Sequence, residues 1–500
     1  MPERFARARL RRGAVCAALA LVLPLRALAQ PMGLPSMGSA ADAELPPALE
    51  QMLGDAIMEQ GRRDPTYISD PDLDQYLTAM GRKLVAGAPG GGTHHITVFG
   101  VRDPQINAFT LPGGYIGVNS GLLVSAGNES ELASVLAHEI GHVVQRHIAR
   151  GMTQQSQNTG VIIASLVGAL LAGLAGSGDL AVGVAAFGQA AAIDRQLGFS
   201  RQAEQEADRA GFEMLRKAGY DPRGMVQMFS MLMHASSLNE GKGGGAYTST
   251  HPLSIQRMSD IQNRVSELPP VHHHDDPQFW YLRAKLRVLQ AVSRQERDDA
   301  LLQLRQETTQ GSAVQRSAAW YGIAYGYWEA GSYAQAAEAL GKSAQDPSVV
   351  PETAVLAARL ANSQGQADEA LRVARAGWQR WPHSQGVAVA LVDVLRQARR
   401  DDEAIKFVEP CIRQWPKFAP LYRLRAQSQE RLGQKVQARR SMAKYYELTG
   451  SLSTAVEQLR QARDLTTDFY VQSELDAQIR DLRQRLDTER HLLERFKKSN

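Results

Sequence analysis

Residues 131–151 read ELASVLAHEIGHVVQRHIARG, and within them His138 and His142 stand four apart, with Glu139 directly after the first. On an α-helix that spacing puts both imidazoles on one face, about 5–6 Å apart at Cβ. Two rings so placed can share one tetrahedral Zn²⁺. Glu139 lies about 100° round from His138, where a carboxylate can act on water at the cation without binding the cation itself. The same spacing also fits an amphipathic helix with hydrogen-bonded histidines, so the rest of a metal site must come from elsewhere. Asn128 with Glu131 three residues on resembles a capping box. This predicts a helix from about residue 129 to about residue 150.

A histidine ten residues after His138 would mark a metzincin, but that position is Ile148. His147 is nine on, about 180° round, and is assigned to the opposite face as a surface or structural residue. Residues 199–211, FSRQAEQEADRAG, offer Glu204 and Asp208, four apart and so on one helical face. Glu204 is the candidate third ligand. Asp208 can accept a hydrogen bond from the free N–H of a ligating histidine and fix its tautomer. Glu206, about 200° from Glu204, points elsewhere. Alone, such a stretch reads as a salt-bridged solvated face; beside HExxH it reads as the remainder of a site for one Zn²⁺ per chain.

The first 29 residues have a basic start, an apolar run from Gly13 to Leu25, and Ala27-Leu28-Ala29 before Gln30. This is the pattern of a cleavable secretory signal; an uncleaved membrane anchor is the alternative, on a run short for a span. Without those residues, which hold six arginines and one glutamate, the chain has 50 basic and 51 acidic residues. Nothing there favours nucleic acid. One cysteine, Cys411, remains, so no internal disulfide can form. An exported chain without disulfides fits a bacterial periplasm.

Residues 30–45 read as a flexible lead. Helical periodicity marks 46–62 and 71–87, while HITVFGV (95–101) and GYIGVNS (114–120) read as strands about an LPGG turn. The apolar, glycine-rich residues 160–193 fit two core helices, a flap touching a membrane surface or a partner, or a transmembrane hairpin. Residues 196–236 read as helical. Residues 267–278, ELPPVHHHDDPQ, read as an interdomain linker, with His272, His273 and His274 solvated rather than metal-binding.

Beyond the linker a repeat begins. Ala336, Ala370, Ala404 and Ala438 are 34 residues apart; Gly331, Gly365 and Gly433 keep the same period, and Arg399 takes the third unit's glycine position. Small residues at helix crossings on this period are the tetratricopeptide signature. Stacked helix pairs of this kind present a concave surface to extended peptides or protein partners. The expected fold is mainly α with a small β-sheet: an HExxH metallopeptidase domain over 46–266, then an all-α tetratricopeptide solenoid over 279–500, capped by the charged segment 466–500.

HExxH followed by SRQAEQEAD resembles the HtpX-like zinc metallopeptidases of the gluzincin type. NAFTLPGGYIGVNSGLL (107–123) looks like that family's edge strand, and STHPLSIQR (249–257) like its downstream histidine motif. With the export signal and repeats, the resemblance to envelope members of this group covers nearly the whole exported chain; the repeats depart from their period after about residue 440. The resemblance implies zinc held by His138, His142 and Glu204, with Glu139 as general base and then general acid. It places His251 near the metal, either stabilising the reacting centre or latching the fourth position, with a bland helix-entry HP turn as the alternative; the preceding glycine-rich loop permits movement. It also implies that Gly114, Tyr115, Ile116, Gly117 and Val118 pair with substrate as an added strand. The implied work is periplasmic proteolysis, with chaperone-like help, of misfolded or stalled outer-membrane protein clients. The repeats would read those clients or the barrel-assembly machinery. A scaffold with latent proteolysis and a membrane-embedded peptidase are the rival readings.

Overall fold

The computed structural model describes residues 45–88, 94–153, 199–238, 246–345 and 350–499. The expected leader (1–29) and the apolar stretch 160–193 lie outside them, as do most of residues 30–45. Among the described residues no helix is long and apolar enough to cross a membrane.

Two helices come first, α1 (Pro47–Gly61) and α2 (Pro71–Val85); Asp70 caps α2 by accepting from the Asp72 and Leu73 N–H groups. A sheet follows, of β1 (Thr97–Val101), β2 (Ala108–Leu111) and β3 (Tyr115–Asn119), in the order β1-β3-β2. β3 pairs parallel with β1 and antiparallel with β2. The sequence reading put strands over 95–119 but singled out no separate strand at 108–111, because these four residues are all buried and show no alternation. The predicted turn joins β2 to β3. Gly113 and Gly114 there have φ of 76° and 77°, and a Cβ on Gly114 would fall 1.9 Å from the His95 carbonyl oxygen, so only glycine fits.

After a short helix, α3 (Ser120–Ser125), comes α4 (Glu129–Val144), capped by Asn128, whose side chain accepts from the Glu131 N–H. Every residue of α4 from Glu129 to His142 except Glu131 is buried, as expected of a helix at the centre of a core. Leu132, Leu136 and Ile140 pack with Leu77 and Leu84 of α2 and with Val98 and Ile116 of the sheet. The helix ends six residues before the predicted Arg150. Arg146 has φ 52° and donates to the Leu45 carbonyl and to Glu50. This left-handed residue turns the chain into α5 (His147–Thr153). The predicted helix over 196–236 is likewise divided, at Gly219 (φ 77°), into α6 (Arg201–Lys217) and α7 (Arg223–Leu238). Then follow α8 (Ala246–Thr250) and α9 (Ile255–Ser266).

The linker is packed rather than free. His273 Nε2 lies 2.7 Å from Glu129 Oε2 at the start of α4, and its Nδ1 lies 3.1 Å from the Gly219 carbonyl. Of the three histidines read as solvated, only His272 and His274 are exposed. The hydrogen bond to Glu129 raises the His273 pKa. Burial opposes charge on Glu129, but bonds from His273, Tyr76 and the Asp276 N–H lower its pKa overall. The raised histidine stabilises the fold below pH 6.5 and loses its contribution as pH climbs through the folded value; the lowered carboxylate stabilises above pH 4.5 and fails as pH falls through its own. His273→Ala is therefore expected to cost most between those limits, about 1.5 kcal/mol or more. Urea unfolding at pH 5.5 and pH 8.5 checks this: an equal loss at both pH values would show that the ion pair is not what holds the linker.

The remaining helices form antiparallel pairs: α10 (Pro277–Leu289) and α11 (Arg294–Glu307), α12 (Ala313–Glu329) and α13 (Tyr333–Ser343), α14 (Pro351–Ser363) and α15 (Ala367–Arg380), α16 (Gln385–Gln397) and α17 (Asp401–Gln414), α18 (Ala419–Arg431) and α19 (Lys435–Leu448). Last come α20 (Leu452–Asp464) and the long α21 (Phe469–Ser499). Gly331, Gly365 and Gly433 all turn at φ 74°, and Arg399 adopts φ 59° in their place. The four period-setting alanines are buried. The irregularity after residue 440 is a halved period: Gly450 (φ 91°) and buried Ala455 come 17 residues after Gly433 and Ala438, so α19 serves as partner to both α18 and α20.

The array also returns to the N-terminal half. Arg283 of α10 donates to the Val124 carbonyl. Gln75 of α2 donates to the His383 carbonyl at 2.7 Å and accepts from the Gln385 N–H at 2.8 Å. Near the far end, Arg62 donates to the Thr449 carbonyl and Ser451 to Glu59.

Candidate metal centre

Helices α4 and α6 cross at two glycines. A Cβ on Gly141 would sit 2.8 Å from the Ala207 carbonyl oxygen, and one on Gly211 would sit 2.9 Å from the Ala137 carbonyl carbon. The bare backbones touch, and this close approach carries Glu204 and Asp208 to the face bearing His138 and His142. Ser200 caps α6 by accepting from the Ala203 N–H, which places Glu204 in its first turn.

His138, His142, Glu204 and His251 each present one donor atom within 4.8 Å of the others, and all four are buried. His138 Nε2 is 3.1 Å from His142 Nε2, 3.4 Å from Glu204 Oε2 and 3.4 Å from His251 Nδ1; His142 Nε2 is 3.5 Å from Glu204 Oε1. Donors bound to a tetrahedral zinc at about 2.0–2.1 Å lie about 3.3 Å from one another. The ligand types and spacing fit zinc. Charge fits as well. Among the described residues, the buried guanidinium that faces Glu204 and Asp208 is that of Arg257; with Glu139 counted as a third carboxylate, a divalent cation closes the balance.

The surrounding side chains fix each ring. His138 Nδ1 is 2.9 Å from Asp208 Oδ1. His142 Nδ1 is 2.9 Å from His147 Nδ1, and His147 Nε2 is 3.3 Å from Glu206 Oε2. This assigns the proton on His142 to Nδ1, donated to His147, which passes its own Nε2–H to Glu206. His147 therefore does not lie on an opposite face: the break at Arg146 folds it back over His142. Burial brings its pKa down to about 4, consistent with a neutral acceptor. Glu206, read as pointing elsewhere, supports His147 while Arg150 holds its carboxyl down at about 2.

Burial lowers the His142 pKa well below the usual value, reinforced by His138, leaving its Nε2 lone pair open to a cation. For His138 burial works against the charged form, but Asp208 and Glu204 outweigh it and the pKa rises. Burial also disfavours charge on Glu204, yet His251 and His138 hold its carboxyl far below the ordinary range. Burial raises Glu139, which suits a group that must take up a proton. Thr110 Oγ1 of β2 donates to Glu139 Oε2 at 2.9 Å and orients it.

His251 lies within the cluster, its Nδ1 3.0 Å from Glu204 Oε1 and its Nε2 3.4 Å from Glu139 Oε1. The ring of Tyr247 stacks on it at 4.7 Å between centroids. The HP sequence is thus no simple helix-entry turn.

The expected substrate strand is corrected. Tyr115–Val118 belong to β3, the central strand, whose two edges are taken by β1 and β2; Gly114 sits in the turn. No edge of β3 is open to a peptide. Among the described strands the outer edge beside α4 belongs to β2. Asn107 O accepts from the Asn119 N–H, so antiparallel alternation turns the backbone groups of Ala108 and Thr110 outward.

Among the side chains of the site that sequence reasoning missed are Thr110, because no separate strand was singled out at β2; His147, because the helix was taken as unbroken; and Arg257, because no spacing rule ties it to the acids it binds.

Residues 71–265 match peptidase family M48, and residues 361–428 match a tetratricopeptide repeat. The β-barrel assembly-enhancing protease of Escherichia coli K12 is 33% identical over 309 residues, 61% of this chain and 62% of that protein. That of Yersinia pestis is 35% identical over 341 residues, 64% of this chain and 65% of that protein. A Vibrio cholerae protein provisionally given the same description is 38% identical over 281 residues, 56% of each chain. The chain thus spans less than two thirds of the length of these relatives. Residues 71–265 are thus similar to the peptidases of family M48 and residues 361–428 to a tetratricopeptide repeat, in a chain that resembles these assembly-enhancing proteases over part of their length.

Proposed function

We propose that this chain is a zinc-dependent endopeptidase of the bacterial periplasm, kept latent by His251 and acting on misassembled outer-membrane proteins. The observation that carries the chemistry is the meeting of His138, His142 and Glu204 within bonding reach of one cation, with Glu139 held alongside by Thr110. The envelope role is supported by the relatives, whose names place them in β-barrel assembly, and by the expected export signal. Recognition of clients or of the barrel-assembly machinery falls to the repeats, and a chaperone-like contribution would act through the same surface. Contact of residues 160–193 with a membrane surface belongs to this proposal too.

Zinc, when bound, supplies a Lewis acid that lowers the pKa of water to about 7. His138, His142 and Glu204 would hold it. Glu139 accepts the proton of the attacking water and delivers it to the leaving amine. Asp208 and His147 keep the two ligating rings in the tautomers that turn Nε2 inward. The outward backbone groups of Ala108 and Thr110 are the proposed docking edge for the substrate backbone.

Of the two roles expected for His251, the geometry favours the latch: its ring is fully buried, sits at a fourth corner of the cluster and also faces Glu139. This favours a resting enzyme in which proteolysis is latent. Purified protein is expected to cleave casein weakly, to lose that cleavage to a chelator, and to regain it with zinc. His251→Ala is expected to cleave severalfold faster. A fall in rate would instead assign His251 to the reaction, and cleavage indifferent to the chelator would overturn the zinc reading.

A further inference from the structure

Arg257 is a buried guanidinium at the back of the metal cluster, 4% exposed. Its Nε and Nη2 donate to the two oxygens of Asp208 at 2.6 and 2.8 Å, forming a fork. Its Nη1 lies 2.8 Å from Glu204 Oε2 and also donates to the Pro252 carbonyl at 2.8 Å. Three elements thus converge on one side chain: two carboxylates of α6, the residue after His251, and α9, whose first turn Ser254 caps through the Arg257 N–H. The ring of Phe229 lies against the guanidinium at 5.3 Å and closes that side.

We infer that Arg257 is a positioning residue for the zinc site, acting through Glu204 and Asp208. The inference rests on the zinc reading above. By pairing with Oε2 of Glu204, which also lies 3.4 Å from His138 Nε2, Arg257 fixes the carboxylate with Oε1 between His251 Nδ1 at 3.0 Å and His142 Nε2 at 3.5 Å. By gripping both oxygens of Asp208 it fixes the carboxylate that in turn orients His138. Its charge is also needed for balance: three buried carboxylates against one divalent cation would leave a net negative centre, and Arg257 cancels it. A lysine would preserve the charge but not the fork.

The test is zinc affinity of the full-length protein, measured by competition with a chromophoric chelator, together with the visible spectrum of the cobalt-loaded protein as a report on ligand geometry. Arg257→Gln is expected to weaken zinc binding by about 10–100-fold, the usual effect of losing a group that orients a ligand, and to change the cobalt spectrum. Arg257→Lys is expected to fall between wild type and Gln. Arg264→Gln, on the same helix but paired with Asp260 at the surface, is the control and should match wild type. Wild-type affinity and spectrum in Arg257→Gln would overturn the inference while leaving the zinc site standing. If Arg257→Gln does not fold, an unchanged affinity and spectrum in Arg257→Lys overturns it instead. Failure of wild type itself to bind zinc would remove the zinc reading, and this inference with it.

Discussion

Glu139→Gln is expected to lower peptide cleavage by about 10²–10⁴-fold while the protein still takes up its metal. The substitution keeps the shape of the side chain and its bond with Thr110, since the Thr110 hydroxyl can donate to an amide oxygen as it does to Glu139 Oε2. It removes only the ability to accept a proton. None of the three proposed protein ligands is touched. Metal analysis and a casein assay on the same preparation separate the outcomes. Loss of cleavage with metal retained supports the assigned role. Cleavage near the wild-type rate would mean that another group moves the proton. If the variant also supports full function in cells, the repeats carry the work and proteolysis is secondary.

The second large effect is expected from alanine at either glycine of the helix crossing. In an isolated helix Gly→Ala is favourable by about 1 kcal/mol. Here the new Cβ of Gly141→Ala would meet the Ala207 carbonyl oxygen at 2.8 Å, and that of Gly211→Ala would meet Ala137 backbone atoms at 2.9–3.0 Å. Backbone cannot rotate away as a side chain can, so α4 and α6 must separate. Overpacking of this kind costs about 1–3 kcal/mol, enough to reverse the propensity gain. The separation also pulls Glu204 from the two imidazoles, and a misplacement near 1 Å can cost about 100-fold in rate. Urea unfolding and zinc affinity are the measurements. A variant more stable than wild type, with unchanged affinity, would show that the crossing has slack.

Much of this was legible in the chain because local rules govern it. Helical spacing placed His138 and His142 together, and the same rule joined Glu204 to Asp208. The 34-residue period placed Gly331, Gly365 and Gly433 at left-handed turns and even pointed to Arg399, which takes that conformation without being glycine. What escaped depends on contacts between distant segments or on single backbone torsions. Arg146 interrupts α4 through one positive φ, and nothing in its neighbours announces that; His147 was therefore assigned to the wrong side. β2 is short and wholly buried, so it lacks the alternation that marks a half-exposed strand, and its neighbour β3 was mistaken for the edge. His273 in a polar, proline-rich stretch has the composition of a solvated linker; only the fold brings Glu129 within 2.7 Å of it.

A solenoid anchored at one end behaves as a spring, able to stretch and coil as its units flex. The one here is riveted at its root through Arg283, at mid-length through Gln75 and close to its tip through Glu59 and Arg62. Stretching it would tear at least one of those fastenings. The curvature of the array is therefore set in advance by those fastenings, and any surface the helices present is held in one shape.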